Sequence, residues 1–201
     1  MALALYDNPF SGNCYKVRLI LALLGIEFER REMSVVDYSE RIEVLGGLSP
    51  SLNLPTVVLE DGRPLAESNA ILWYFADGSR YLPDDAYERA QVLQWMFFEQ
   101  YKHEPGIAVP RFWDAMAPEH LTPPGDLEAR RASGREALKI MERRLREREY
   151  FVGARFTIAD IALYAYTHVA PEGGFDLEPL PAVRAWLERV AAEPGLVPIT
   201  A

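Results

Sequence analysis

A serine at the start of an apolar helix is the first place in the chain where chemistry could occur. Ser11 follows a turn cluster at residues 7–9 and precedes residues 15–24, whose apolar side chains predict a helix. A hydroxyl and the backbone N–H groups at a helix start can together hold an anion, because the helix dipole is positive there. Serine is also a common N-cap residue that serves only its helix. The stretch therefore leaves open an anion site and a plain helix cap.

A second candidate is a proline that stands directly before an apolar strand segment. In Asn53-Leu54-Pro55-Thr56 the proline could simply open the strand in the trans form, which strands tolerate at their first residue. A cis Leu54–Pro55 bond would instead turn the chain so that Leu54 offers its backbone groups to an extended ligand. The residues alone slightly favour the trans form.

The third candidate is Glu67-Ser68, which opens a predicted helix at residues 69–75. An acidic side chain suits an ammonium group, and a hydroxyl with free helix N–H groups suits a carboxylate. The pair therefore fits a zwitterionic ligand, with Ser68 capping its helix towards that ligand. A cap without a ligand is the simpler interpretation of these two residues.

These residues depend on a mixed set of elements in the first part of the chain. Strand patterns cover residues 2–6, 28–33 and 55–59, and Asp61-Gly62 predicts a type I′ hairpin turn after the third strand. With the helices, Gly25 ending the first of them, the order reads β-α-β-α-β-β-α. The fold class is α/β followed by all-α, with a linker at residues 77–85.

The rest of the chain predicts helices and loops. Helical patterns cover residues 87–103, 127–148 and 181–192, with a loop at 117–126, and Thr157-Ile158-Ala159-Asp160 forms a capping box. The charged run from Glu142 to Glu149 is expected to be a solvated helix face.

Composition excludes several classes of function. A net charge of −9 argues against a nucleic-acid surface, and 49% hydrophobic with 25% charged residues is ordinary for a globular protein. A single cysteine forbids an internal disulfide and is too few for a thiolate zinc site, and the three histidines lack ligand spacing. No secretory signal or membrane span is visible, so we expect a cytoplasmic protein.

The order and spacing of the three candidate stretches resemble the glutathione S-transferase family. Members place a hydroxyl residue after the first strand, a proline before the third strand and Glu-Ser at the start of the third helix. The capping box at Thr157 is similar to that of the family's C-terminal domain, so the resemblance covers essentially the whole chain. Ser-x-Asn followed by Lys-Val-Arg resembles the bacterial, serine-type members related to the zeta, nu and theta classes.

The resemblance implies a thioredoxin-like glutathione-binding domain at residues 1–77 and an all-helical domain at 86–201 that contributes to the acceptor-substrate site. It implies that Ser11 holds the glutathione thiolate, with Asn13 as a possible helper. No charged residue stands just before Pro55, so the sequence does not identify the residue that binds the glycyl carboxylate of glutathione.

The same resemblance assigns the rest of glutathione. Leu54 would pair through its backbone with the cysteinyl unit, ahead of a cis Pro55, and Glu67 and Ser68 would hold the γ-glutamyl end.

The implied function is conjugation of the glutathione thiolate to a small electrophilic, apolar substrate. Glutathione is then the co-substrate, no metal is needed, and a homodimer is expected, consistent with apolar residues such as Val92 and Met96. Disulfide-bond reduction or peroxide reduction in the same pocket is one alternative. A non-catalytic binding module with the same fold is another.

The acceptor substrate is expected to meet Phe10, Tyr101 and Arg111, the last two because polar turns are expected to follow them. Trp95 and Phe98, in the same aromatic-rich segment, are expected to pack in the core.

Two further side chains are not expected to act in catalysis. Cys14 lies about one turn into the first helix and should face the core; the alternative is that it forms a mixed disulfide with glutathione. His103 is expected to be solvent-exposed or to serve as a charge at a helix end.

Overall fold

The computed structural model describes residues 2–123 and 125–201. These residues form two compact units: a sheet unit, Met1–Ser79 with Pro194–Ala201, and a helical unit, Arg80–Glu193. The sequence-based division places residues 194–201 in the helical domain, but they belong to the sheet unit. The reason is a set of long-range hydrogen bonds: the Tyr15 hydroxyl donates to the Val197 carbonyl at 2.6 Å, and Arg18 Nη2 donates to the Ile199 carbonyl at 2.5 Å.

The described residues of the sheet unit form a mixed four-stranded sheet in the order β2-β1-β3-β4. Strand β1 runs parallel to β2 and antiparallel to β3, which pairs antiparallel with β4. This confirms the predicted α/β part and its β-α-β-α-β-β-α order. The elements are β1 (Ala4–Asp7), α1 (Gly12–Leu24), β2 (Glu29–Glu32), α2 (Tyr38–Leu45), β3 (Thr56–Val58), β4 (Pro64–Ala66) and α3 (Ser68–Ala76).

Helix α1 begins and ends at residues that fix its boundaries. Ser11 is its N-cap, and Gly25 ends it in the left-handed conformation, with φ of 66°, donating its N–H to the last turn. A left-handed C-terminal residue favours glycine, because a Cβ atom is strained there. The predicted end is therefore confirmed, while the helix begins three residues before the predicted start.

The hairpin between β3 and β4 forms as predicted, but its turn is not type I′. Gly62 has a positive φ of 87° and Asp61 does not. Gly62 N donates to the Leu59 carbonyl, and Leu59 N donates to the Arg63 carbonyl. This is the three-residue loop in which a turn is followed by a left-handed glycine.

The described residues of the helical unit form helices and a few tight turns, which confirms the predicted all-α part. The elements are α4 (Ala86–Phe98), a π-helical turn (Glu99–His103), α5 (Glu104–Ala115), α6 (Leu127–Leu145), α7 (Ile158–Thr167), a 3-10 turn (Ala170–Gly173) and α8 (Pro181–Ala191).

Helical structure continues past the point where the sequence suggested polar turns. Tyr101 lies in the π-helical turn, Arg111 lies inside α5, and Pro105 stands in the first turn of α5. Proline is tolerated there, because it has no backbone N–H and the N–H groups of a first turn make no hydrogen bond within the helix. The expectation that polar turns follow Tyr101 and Arg111 is therefore wrong.

The predicted capping box of α7 is present and organises the core of the helical unit. The Asp160 carboxylate is fully buried and accepts four hydrogen bonds. Two come from Thr157, through its N–H at 2.9 Å and its hydroxyl at 3.0 Å, and the others come from Phe151 N at 3.1 Å and Trp186 Nε1 at 3.0 Å. One carboxylate thus joins the start of α7 to the preceding loop and to α8.

Two polar side chains of this unit are buried against expectation. His103 is fully buried, with Nε2 2.9 Å from Thr167 Oγ1, so it is not a solvent-exposed charge. Glu142 is 3% exposed, and its Oε2 accepts hydrogen bonds from Ala182 N and Val183 N, both at 3.0 Å. Glu142 therefore caps the start of α8, and the charged run it begins is not wholly solvated.

None of the helices formed by the described residues is long and apolar enough to cross a membrane.

Candidate active site

Ser11 caps α1, which is one of the two roles that its sequence position left open. Its Oγ accepts a hydrogen bond from Cys14 N at 3.3 Å, which caps α1, and its backbone N–H donates to the Asn8 carbonyl at 3.2 Å. A hydroxyl that accepts one hydrogen bond still carries its own proton. The half-buried Ser11 can therefore cap the helix and also donate that proton to an anion at the positive helix end.

The loop that carries Ser11 is held by Arg18, a residue that the sequence reasoning did not assign to the site. Arg18 Nη1 donates to both carboxylate oxygens of Asp7, at 2.6 and 2.8 Å, and to the Asn8 carbonyl at 3.1 Å. Its Nη2 donates to the Pro9 carbonyl at 3.0 Å. The guanidinium is 3% exposed and interrupts an otherwise apolar run, which is the signal that could have drawn attention to it.

The start of α3 meets the start of α1 through a group of polar side chains. Ser68 Oγ donates to Asn13 Oδ1 at 3.3 Å and accepts from Lys16 Nζ at 3.3 Å. Ser68 is the first residue of α3 and does not cap it, because Glu67 occupies the N-cap position. The structure thus brings together Asn13 and Ser68, both predicted site residues, and adds Lys16, which the sequence reasoning missed.

Glu67 adopts a backbone conformation that is unfavourable for a residue with a Cβ atom. Its φ is 69° and its ψ is 113°, outside the regions that L-residues normally occupy. The exposed carboxylate accepts a hydrogen bond from Ser51 Oγ at 3.3 Å. Backbone strain of this kind concentrates at functional sites, where the surrounding structure maintains it. Glu67 is therefore held in a strained conformation at the start of α3.

The segment before β3 carries the Leu54–Pro55 bond in the cis form, as the family resemblance implies. Arg41 of α2 lies beside this segment, donating from Nη1 to the Leu52 carbonyl at 3.4 Å, with its guanidinium 5.1 Å from the Tyr38 ring centre. Its Nε is buried without a hydrogen-bond partner among residues 2–123 and 125–201. Arg41 was not predicted as a site residue, because it lies on α2 and no charged residue stands directly before Pro55.

Cys14 is fully buried, as expected for a small apolar side chain. Burial, reinforced by the negative charge of Asp7, raises the pKa of the Cys14 thiol to about 12. The thiolate form is therefore negligible near neutral pH, and the thiol is inert as a nucleophile.

The residues predicted for an acceptor substrate differ in exposure. Phe10 in the sheet unit is 53% exposed and Tyr101 in the helical unit is 89% exposed, so both present aromatic surface. Arg111 is 3% exposed, and its Nε donates to Glu172 Oε2 at 2.6 Å, so its charge is balanced inside the helical unit. Trp95 is buried, as predicted, whereas Phe98 is only half-buried, and the ring centres of the two are 5.3 Å apart.

No group of three or more His, Cys, Asp or Glu side chains suited to a metal ion occurs in the described part of the chain.

Comparison with known proteins places these features in a family. Residues 10–77 match the family model of the glutathione S-transferase N-terminal domain, and residues 112–194 match that of the C-terminal domain. The crystal structure of a glutathione S-transferase from Pseudomonas fluorescens Pf-5 is similar over 100% of both chains, with 45% identity and a TM-score of 0.91.

Two more distant relatives are named for different activities, one as a transferase and one as an oxidoreductase. A glutathione transferase from Burkholderia graminis, solved with two glutathione molecules bound per subunit, is 26% identical with a TM-score of 0.79, over 96% of this chain and 85% of that chain. The disulfide-bond oxidoreductase YfcG of Escherichia coli is 29% identical over 95% of this chain and 91% of its own. Since both domain models match and a relative is 45% identical along its whole length, the chain belongs to the glutathione S-transferase family.

Proposed function

We propose that this enzyme conjugates the thiolate of glutathione to a small, electrophilic, apolar substrate. The thiolate sulfur forms a bond to an electrophilic carbon, and a leaving group such as halide departs with its electron pair. The observation that carries the proposal is Ser11, whose hydroxyl caps α1 with its oxygen and keeps its proton for an anion. The inert Cys14 thiol beside it favours a mechanism in which the sulfur comes from glutathione.

The energetics of this arrangement are sufficient for thiolate formation. Lowering the pKa of a free thiol, about 8.5, by about two requires roughly 2.7 kcal/mol of thiolate stabilisation. A hydrogen bond from the Ser11 hydroxyl to a charged sulfur supplies about 1.5–3 kcal/mol. The positive end of α1 adds about 0.3–1 kcal/mol. The two contributions together match the requirement, so no general base is needed.

The remainder of glutathione is assigned to the sheet unit. Leu54, ahead of Pro55, pairs through its backbone with the cysteinyl unit, as the family resemblance implies. The exposed Glu67 carboxylate meets the ammonium of the γ-glutamyl end, and Ser68 with the first N–H groups of α3 meets its carboxylate. Asn13 joins this group through its hydrogen bond with Ser68.

Replacing Glu67 with alanine is expected to raise the KM for glutathione about tenfold, with a smaller change in kcat. The carboxylate contacts a part of glutathione that does not react, so it stabilises ground and transition states alike. Steady-state kinetics at varied glutathione concentration measure the change. Glu43→Ala, an exposed change on α2, is the matched control and should leave both constants unchanged. A fall in kcat with an unchanged KM would contradict this role for Glu67.

Arg41 is our candidate for the glycyl carboxylate, since its guanidinium lies beside Leu52 and its Nε is buried without a partner among the described residues. We expect Arg41→Ala to raise the KM for glutathione about tenfold, the effect of losing about 1.4 kcal/mol. The KM for γ-glutamylcysteine, which lacks the glycine, should hardly change. The exposed Arg63 of the β3–β4 hairpin is the control position. An equal rise in the KM for both ligands in Arg41→Ala would contradict the assignment.

Phe10 and Tyr101 are each proposed to contact the acceptor substrate, since each ring is exposed in its own unit and suits an apolar electrophile. Arg111 was also predicted for this site, but it is 3% exposed and paired with Glu172, so it is the weakest of the three candidates. The active form is proposed to be a cytoplasmic homodimer, as the family resemblance implies. Val92 and Met96 are buried and cannot contact a partner chain, so the exposed Leu93 and Phe97 of α4 are better candidates for its apolar contacts.

Disulfide-bond reduction is the second candidate function, favoured by the 29% identity to the oxidoreductase YfcG. In that reaction two glutathione molecules give up two electrons to a disulfide, leaving oxidised glutathione and two thiols. One experiment separates the candidates: the purified protein is bound to immobilised glutathione and then assayed with an aryl halide, a small disulfide and a hydroperoxide. Turnover of the aryl halide supports conjugation. Turnover of the disulfide or hydroperoxide alone supports reduction, and glutathione binding without turnover supports a binding module.

A further inference from the structure

A lysine is fully buried where the starts of α1 and α3 meet. Lys16 lies on α1, and its Nζ is 3.3 Å from Ser68 Oγ and 3.4 Å from Asn69 Oδ1. Ser68 is itself 4% exposed and is the first residue of α3. The ammonium group of Lys16 therefore lies within hydrogen-bond distance of the Ser68 hydroxyl, which we propose binds the γ-glutamyl end of glutathione.

Lys16 determines the direction in which the Ser68 hydroxyl donates. An ammonium group carries three donors and no acceptor, so Ser68 Oγ must accept the hydrogen bond from Lys16. The single hydroxyl proton of Ser68 is then directed away from Lys16, and it donates to Asn13 Oδ1 at 3.3 Å. If a ligand carboxylate binds here, Ser68 would donate this same proton to a carboxylate oxygen instead of to Asn13 Oδ1.

The charge of Lys16 also favours an anion at this place. A buried ammonium group attracts an anion held close to it more strongly than an exposed one does, because less water screens the two charges. The first N–H groups of α3 add the positive end of a helix dipole next to the same cation. An anion held at the start of α3 would be stabilised by both.

We propose that Lys16 is a positioning residue that makes the site select ligands with an α-carboxylate on the γ-glutamyl end. It acts through Ser68, whose hydroxyl it orients as a donor, and through its charge. This inference rests on the proposed binding of glutathione. It assigns recognition of the carboxylate to a buried side chain on α1 as well as to Ser68 and the first N–H groups of α3.

The test compares two ligands that differ only in this carboxylate: glutathione and 4-aminobutyryl-cysteinyl-glycine. We expect Lys16→Met to raise the Kd for glutathione about ten- to a hundredfold, as loss of a charge-assisted interaction does, and to change the Kd of the analogue less than about threefold. Lys139→Met, an exposed change on α6, is the matched control and should alter neither. Equal weakening of both ligands, or no weakening, would overturn the proposal.

A measurement on the unaltered protein keeps the proposal testable where Lys16→Met does not fold. The chain contains three lysines, Lys16, Lys102 and Lys139, so isotope-labelled lysine side chains give few NMR signals. Lys102→Arg and Lys139→Arg assign these signals by elimination. Glutathione should shift the Lys16 signal and the analogue should shift it much less. An unchanged Lys16 signal in saturating glutathione contradicts the proposal.

The two levels of inference fail in different ways. If the unaltered protein does not bind glutathione, the proposed function fails and this inference fails with it. If glutathione binds normally but Lys16→Met affects both ligands equally, only the role of Lys16 is wrong.

Discussion

Replacing Ser11 with alanine is expected to lower conjugation turnover about ten- to a hundredfold at neutral pH. The hydroxyl of Ser11 is the proposed donor to the glutathione sulfur, and losing one hydrogen bond to a charged group costs about 1.5–3 kcal/mol. The pKa of bound glutathione should rise towards the value of about 8.5 for a free thiol. The pH dependence of kcat measures both effects, since part of the lost activity returns as the pH is raised.

Two further variants separate the chemical role of Ser11 from its structural one. Alanine at position 11 also removes the cap of α1, at a cost of about 1 kcal/mol in stability. Ser11→Thr keeps both the hydroxyl and the cap, so it should retain most of the activity.

Cys14→Ala should leave turnover nearly unchanged, because the Cys14 thiol is buried and its pKa is raised to about 12. Loss of activity in Cys14→Ala with normal activity in Ser11→Ala would make the mechanism wrong.

Replacing Asp160 with alanine is expected to lower the free energy of unfolding by about 3–5 kcal/mol, enough to threaten folding. The change leaves four buried donors without an acceptor, those of Phe151 N, Thr157 N, Thr157 Oγ1 and Trp186 Nε1. Burial raises the pKa of Asp160 to about 6, because loss of hydration outweighs these donors, which lower it. Urea unfolding at pH 8 is the suitable measurement, since Asp160 is then ionised.

The matched control for Asp160 is another aspartate at a helix start. Asp126 caps α6 with hydrogen bonds to Glu128 N and Ala129 N, but it is exposed. Asp126→Ala should therefore cost about 1 kcal/mol, the usual value for an N-cap, because water can replace the lost acceptor. Similar losses for the two variants would show that the buried hydrogen bonds of Asp160 contribute no more than an ordinary cap.

Local sequence features predicted the elements well wherever one residue type enforces a backbone geometry. Gly25 ends α1 in the left-handed conformation, and Thr157 with Asp160 starts α7 by reciprocal capping. These signals act over a few residues, so the printed sequence contains all that is needed to detect them. The turn at Gly62 shows the limit: the hairpin was predictable, but the positive φ falls on the glycine alone.

The polar residues around the site were harder to predict, because their roles depend on partners distant in sequence. Lys16 meets Ser68, Arg41 meets Leu52, and Arg111 meets Glu172 only in the folded chain. His103 illustrates the same difficulty in the core, since a histidine among charged residues is buried by its contact with Thr167. Local patterns made Ser11, Glu67 and Ser68 candidates, but their separate roles towards glutathione, and the choice of Asn13, came from the family resemblance.

The return of residues 194–201 to the sheet unit has a consequence for the order in which the chain can fold during synthesis. The ribosome releases residues 1–79 long before it makes the segment that supplies acceptors to Tyr15 and Arg18. Until then the Tyr15 hydroxyl lacks the Val197 carbonyl and Arg18 lacks the Ile199 carbonyl, and water can take the place of these two acceptors. We therefore expect the sheet unit to gain its last hydrogen bonds only after the whole helical unit has been translated.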